Sequence, residues 1–144
     1  MSLFYEDIRI GERFTTPRHR ITEADIGAFC RLTRDHHPLH TDADYAREAG
    51  FPGIIAHGLY GLALMEGLKT ELHLYDESSI ASLGWDKVRF LKPLLAGDEV
   101  HVQMDFTARR ESKGRGVVTE AVRLLRGDEV VIDAEHVSLI RMRG

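Results

Sequence analysis

The chain has 144 residues, about one domain's worth. Hydrophobic residues make up 43% and charged residues 29%, with 23 acidic against 19 basic side chains and a formal net charge of −4. That balance excludes disordered and collagen-like chains, and it argues against a nucleic-acid or polybasic membrane-surface binder, which carries a basic face.

The first segment, Met1–Arg13, carries Glu6, Asp7, Arg9 and Glu12 and has no apolar run, so it does not read as a signal peptide. One strand is expected near Ile8–Ile21. Thr22–Thr33 reads as a helix: Thr22 can cap it, and Ile26, Phe29, Cys30 and Thr33 recur at helical spacing. Cys30 is the single cysteine, which excludes an internal disulfide and a cysteine-based zinc site; in this pattern it reads as a buried, inert thiol. Pro38 stops the helical pattern, because it lacks an N–H and holds His37 extended. Thr41 is the expected cap of a short helix over Asp42–Ala49, which Gly50 ends.

From His57 to Leu72 runs the most hydrophobic helix. Leu59, Tyr60, Leu62, Ala63, Leu64 and Met65 cover most of its circumference, so it is expected to be enclosed. Gly58 and Gly61 are poor helix formers, and their presence points to close approach by another element. The stretch is far short of the roughly 20 apolar residues that span a bilayer, so the expectation is a soluble, cytoplasmic protein folded as one domain over residues 1–144. After Asp76 the period changes. Trp85–Lys92, Val100–Phe106, Val117–Leu125 and Val130–Ile140 read as strands, with turns at Lys113–Gly116 and Gly127-Asp128. In the last strand the apolar phase moves from Val130, Ile132 and Ala134 to Val137 and Leu139, which predicts a bulge between them. The expected class is α+β, an antiparallel sheet wrapped around a central hydrophobic helix.

The densest polar cluster is Asp35-His-His-Pro-Leu-His-Thr-Asp42. Three readings of it stand side by side. It can be a polar loop whose histidines only make hydrogen bonds. It can be a metal site, since histidine and carboxylate suit zinc or iron, although Pro38 prevents His36 and His40 from forming a helical ligand pair. It can be an acid–base pair in which Asp35 and His40 address one water, as addition of water across a double bond requires.

Asp35-His-His-Pro-Leu-His40 resembles the Gly-Asp-x-Asn-Pro-(Ile/Val/Leu)-His motif of the MaoC-like, or R-specific, enoyl-CoA hydratases and dehydratases. Ile55-Ala-His-Gly-Leu59 resembles the family's segment leading into its central helix. Tyr5-Glu-Asp-Ile-Arg-Ile-Gly11, Arg89-Phe-Leu-Lys-Pro93 and Gly97-Asp98 follow the same order, so the resemblance covers nearly the whole chain. It implies the hotdog fold, with Asp35 and His40 as the catalytic pair that holds a water for syn hydration of a trans-2-enoyl thioester, or the reverse. It further implies that Gly58 donates its backbone N–H to the thioester carbonyl, with no metal or organic cofactor. The implied substrate is a thioester of CoA or of acyl carrier protein, within fatty acid metabolism. The implied assembly is a homodimer or a larger set of dimers.

Two positions depart from the motif. Arg34 stands where the family has Gly, so a positive φ is not expected there, and His37 stands where it has Asn. His36 and His37 read as scaffolding, while His57 either orients the loop or fills space. The basic run Arg109, Arg110, Lys113 and Arg115 reads as a solvated turn rather than a phosphate site. A hotdog thioesterase and a non-catalytic acyl-thioester binder remain the alternatives to a hydratase.

Overall fold

In the computed structural model, which describes residues 1–144, four long antiparallel strands carry the second half of the chain. They are β3 (Ser79–Phe90), β4 (Glu99–Ser112), β5 (Arg115–Arg126) and β6 (Glu129–Arg141). Before them come β1 (Arg13–Thr15), β2 (His19–Arg20), α1 (Glu23–Thr33), α2 (Pro38–Thr41), α3 (Ala43–Glu48) and α4 (Gly58–Thr70). The sheet order is β1-β4-β5-β6-β3, with β2 also paired to β4. β3 is therefore an edge strand. Alternation along β4 turns Val100, Val102, Met104 and Phe106 inward, where Tyr60, Met65 and Leu68 of α4 share one core with them.

The two glycines of α4 mark close approach, as their placement suggests. A Cβ on Gly58 would stand 2.8 Å from the Phe90 ring, and one on Gly61 would collide with Ile132. The helix is not enclosed within one chain, however. Leu59 is 64% exposed, and Ala63, Gly67 and Thr70 continue an open stripe one to two turns apart. Side-chain composition gave no hint of that stripe, because three of its four members are small or apolar.

Other differences have local causes. The single early strand becomes β1 and β2, separated by Pro17, and both pair with β4. The cap of α3 is Asp42, whose Oδ1 accepts from the N–H groups of Asp44 and Tyr45, whereas Thr41 belongs to α2. β3 begins at Ser79 rather than Trp85, because pairing with β6 extends it through a stretch without clear alternation. The bulge in β6 lies at Val131, between pairs Leu125–Val130 and Leu124–Ile132. Beyond it the inward face runs unbroken through Ile132, Ala134, His136, Ser138 and Ile140. The apparent phase shift arose because two inward positions are polar. No helix is long and apolar enough to cross a membrane.

Candidate active site

Thr22 caps α1 by accepting from the Asp25 N–H at 3.1 Å. The helix ends on Arg34, whose N–H donates to the Cys30 carbonyl at 2.8 Å. Arg34 sits at φ 71°, ψ 11°, in the left-handed conformation that its side chain was expected to avoid. This reversal redirects the chain so that Asp35 leaves the helix axis. The strain, about 1–2 kcal/mol for a non-glycine residue, is borne by the loop contacts that follow.

Those contacts are specific. Asp35 Oδ1 accepts from the His37 N–H at 3.3 Å, and His37 Nδ1 accepts from the Leu39 N–H at 3.1 Å. His37 thus caps α2, a job an asparagine side chain would do, and Pro38 takes the first helical position where no N–H is needed. α2 carries His40, whose Nδ1–H donates to the Ile55 carbonyl at 2.7 Å. A carbonyl can only accept, so Nδ1 bears the proton and Nε2 of neutral His40 is left as an acceptor.

His57 links these pieces. It is 4% exposed and stands immediately before α4. Its Nε2–H donates to the Asp35 carbonyl at 3.0 Å, with Cys30 Sγ 3.6 Å away. Its ring stacks on His40 with centroids 3.7 Å apart and planes 22° apart. His57 Nδ1 is buried without a partner. Polar side-chain atoms of Asp35, His40 and His57 all lie within 4.8 Å of one another. One carboxylate and two imidazoles also form a donor set that could hold zinc or iron, so the metal reading of the loop keeps a chemical basis.

Burial holds the pKa of His40 below its ordinary value near 6.5; the bond to Ile55 opposes this and His57 adds to it. Burial, with the nearby Asp35 carboxylate, raises the Cys30 thiol, as expected for an inert cysteine. Gly58 opens α4, where first-turn N–H groups have no partner within the helix. Beside it lies a cleft of about 310 Å³, lined by Phe51, Ile55, Ala56, Gly58, Phe90 and Ile132 among others.

The fold therefore brings together Asp35, His40 and the N-terminus of α4, and it adds His57. His36 is exposed and makes no side-chain bond in this group. The signal for His57 was a polar residue at the end of Ile54-Ile55-Ala56, where burial demands a partner. Arg109 of the basic hairpin is spent on the N-terminal segment, donating to the Tyr5 carbonyl at 2.8 Å.

A family model described as a MaoC like domain matches residues 7–129. The chain belongs to the MaoC-like dehydratase family. It is 30% identical over 132 residues to an (R)-specific enoyl-CoA hydratase of Aeromonas caviae, covering 92% of this chain and 95% of that one. It is 32% identical over 109 residues to Protein MaoC of Klebsiella aerogenes; that match takes 76% of this chain but only 31% of the larger protein. Among solved structures, a MaoC-like dehydratase from Rhodospirillum rubrum superposes with a TM-score of 0.88 at 31% identity, covering 99% of both chains. A Mycobacterium tuberculosis protein described as a double hotdog fold superposes at a TM-score of 0.85 and 20% identity, covering 99% of this chain and 45% of that one. The MaoC-like chain thus has the hotdog architecture, an α+β fold with its sheet laid against α4.

Proposed function

We propose that this MaoC-like protein is a hydro-lyase that adds water to a trans-2-enoyl thioester or removes it from a 3-hydroxyacyl thioester. The observation that carries this reading is the arrangement of Asp35 and His40 beside the free N–H groups of α4. The thioester carbonyl would accept from the Gly58 N–H, where the helix dipole also favours the negative charge that develops on oxygen. One O–H of the water points to the Asp35 carboxylate and the other to His40 Nε2.

As the water oxygen bonds to the β-carbon, the proton facing His40 moves to Nε2. The resulting imidazolium then gives that proton to the α-carbon on the same face, while the second proton stays on the new hydroxyl. The tautomer favours this division of labour, because Nδ1–H is already committed to Ile55 and Nε2 begins as an acceptor. Asp35 orients the water and stabilises the imidazolium. The apolar cleft beside Gly58 suits the part of the substrate next to the thioester. The carrier would be CoA or acyl carrier protein, and no cofactor is invoked.

We also propose a homodimer joined through β3, whose outer edge is free. Loss of enoyl absorbance on incubation with crotonyl-CoA tests the activity. Turnover that falls sharply in Asp35→Asn and in His40→Ala is the expected result. No turnover of any enoyl thioester would overturn the reading, and release of free thiol from saturated acyl-CoA would replace it with a thioesterase.

A further inference from the structure

At the far end of α4 the core contains charges that hydration at Asp35 and His40 does not use. Lys69 Nζ lies 2.5 Å from Glu120 Oε1 and 3.0 Å from His136 Nδ1. Tyr75 donates to Glu120 Oε2 at 2.6 Å, and Ser82 Oγ is 2.7 Å from His136 Nε2. Burial works against the Glu120 carboxylate, yet His136, Lys69 and Tyr75 together keep its pKa below the ordinary value. A buried cluster of this kind gives little net stability over apolar packing.

The cluster walls a cavity of about 290 Å³. Two of the lining atoms lack hydrogen bonds. Ser138 Oγ is buried and unbonded, and Glu66 Oε2 stands 3.1 Å from His136 Nε2 without hydrogen-bond geometry. These two atoms accept and donate toward the same cavity, in a lining with two carboxylates, Glu66 and Asp76, against one ammonium, Lys69. That combination suits a neutral group that both donates and accepts, such as a hydroxyl. An anion would meet Glu66, and bare hydrocarbon would leave both atoms dry and unpaired.

Of its lining residues, Ser79, Ala81 and Ser82 are exposed and lie at the start of the edge strand β3. The other end of β3, at Phe90, packs on Gly58. Within one chain the two ends of α4 are far apart: Lys69 lies about 17 Å from Gly58 by helical rise. Antiparallel pairing of β3 with its own copy brings the start of one strand beside the end of the other. The cavity of one chain then adjoins the Gly58 end of its partner.

We infer that this cavity receives the distal end of the acyl chain and selects 2-enoyl thioesters whose tail carries a hydroxyl group. This rests on the hydratase and dimer readings above. The test compares kcat/KM for crotonyl-CoA, for unsubstituted trans-2-enoyl-CoAs over a series of chain lengths, and for their ω-hydroxy and ω-carboxy counterparts. At the length that reaches the cavity, the ω-hydroxy substrate is expected to exceed the unsubstituted one by roughly tenfold or more. That ratio should fall toward one in Ser138→Ala and further in the Glu66→Leu/Ser138→Val double variant. Crotonyl-CoA is too short to reach the cavity and reports on the hydratase reading alone. Its turnover without a hydroxyl preference at any length overturns only the tail assignment, as does a ratio that both variants leave unchanged. A preference for the ω-carboxylate overturns the neutral-donor assignment, and failure of every enoyl-CoA overturns the hydratase reading itself.

Discussion

Arg34 holds φ at 71° where a glycine would do so without steric cost. Arg34→Gly is therefore expected to raise the unfolding free energy by about 0.5–1 kcal/mol, since relief of strain exceeds the added freedom of the unfolded chain. Urea titration of the variant checks this; a loss of stability would mean that the arginine side chain outweighs the strain. His57 acts at the same scale through its hydrogen bond to the Asp35 carbonyl and its stacking on His40. His57→Leu keeps bulk but removes the donor to Asp35, so kcat should fall about tenfold to a hundredfold with little change in KM. If His57 only filled space, kcat would be preserved.

The pH dependence follows from His40. Its folded pKa lies below its ordinary 6.5, chiefly through burial. A group of this kind adds stability that is complete above the unfolded pKa and is lost as pH falls through the folded one. Activity requires Nε2 unprotonated in the free enzyme, so the acid limb of kcat/KM should have its midpoint below 6.5. In His57→Leu, which removes one neighbour that lowers the pKa, the limb should move upward. An acid limb well above 6.5 in the wild type would exclude neutral His40 as the acceptor.

At the scale of elements, α4 separates two kinds of glycine. A Cβ on Gly61 would meet Ile132, whereas one on Gly67 would meet nothing within 4 Å. Gly67→Ala should stabilise by about 0.5–1 kcal/mol through helix propensity. Gly61→Ala should destabilise by about 1–3 kcal/mol despite the same propensity gain, because the sheet must give way. Thermal melts of the two variants should move in opposite directions. The role of Gly61 was legible in the sequence, since a glycine inside an apolar helix implies close approach, and so was the loop of Asp35 and His40 from its proline and spacing. The inward turn of His136 and Ser138 was not. An alternation test counts apolar residues, and a polar pair on the core face mimics a change of phase. The left-handed Arg34 was equally hidden, because the loop contacts that hold it there come from residues up to His57.

The whole molecule leaves β3, 12 residues long, with one edge unpaired. Leu83 and Phe90 of that strand are each 53% exposed, Leu91 just beyond it is 51% exposed, and Leu59 on the open stripe of α4 is 64% exposed. A long edge with apolar side chains invites a further strand, and a copy of itself is the simplest closed solution. Light scattering after size exclusion should give twice the chain mass of 16.3 kDa. Leu83 lies near the middle of β3, close to the two-fold axis that self-pairing would create. Leu83→Asp places two like charges there in an apolar contact, and it should shift the mass toward a single chain. If the neighbouring chain of the proposed dimer also lines each site, turnover of crotonyl-CoA should fall in step with dissociation and recover as protein concentration rises. A variant that runs at 16.3 kDa and keeps full turnover would confine the site to one chain.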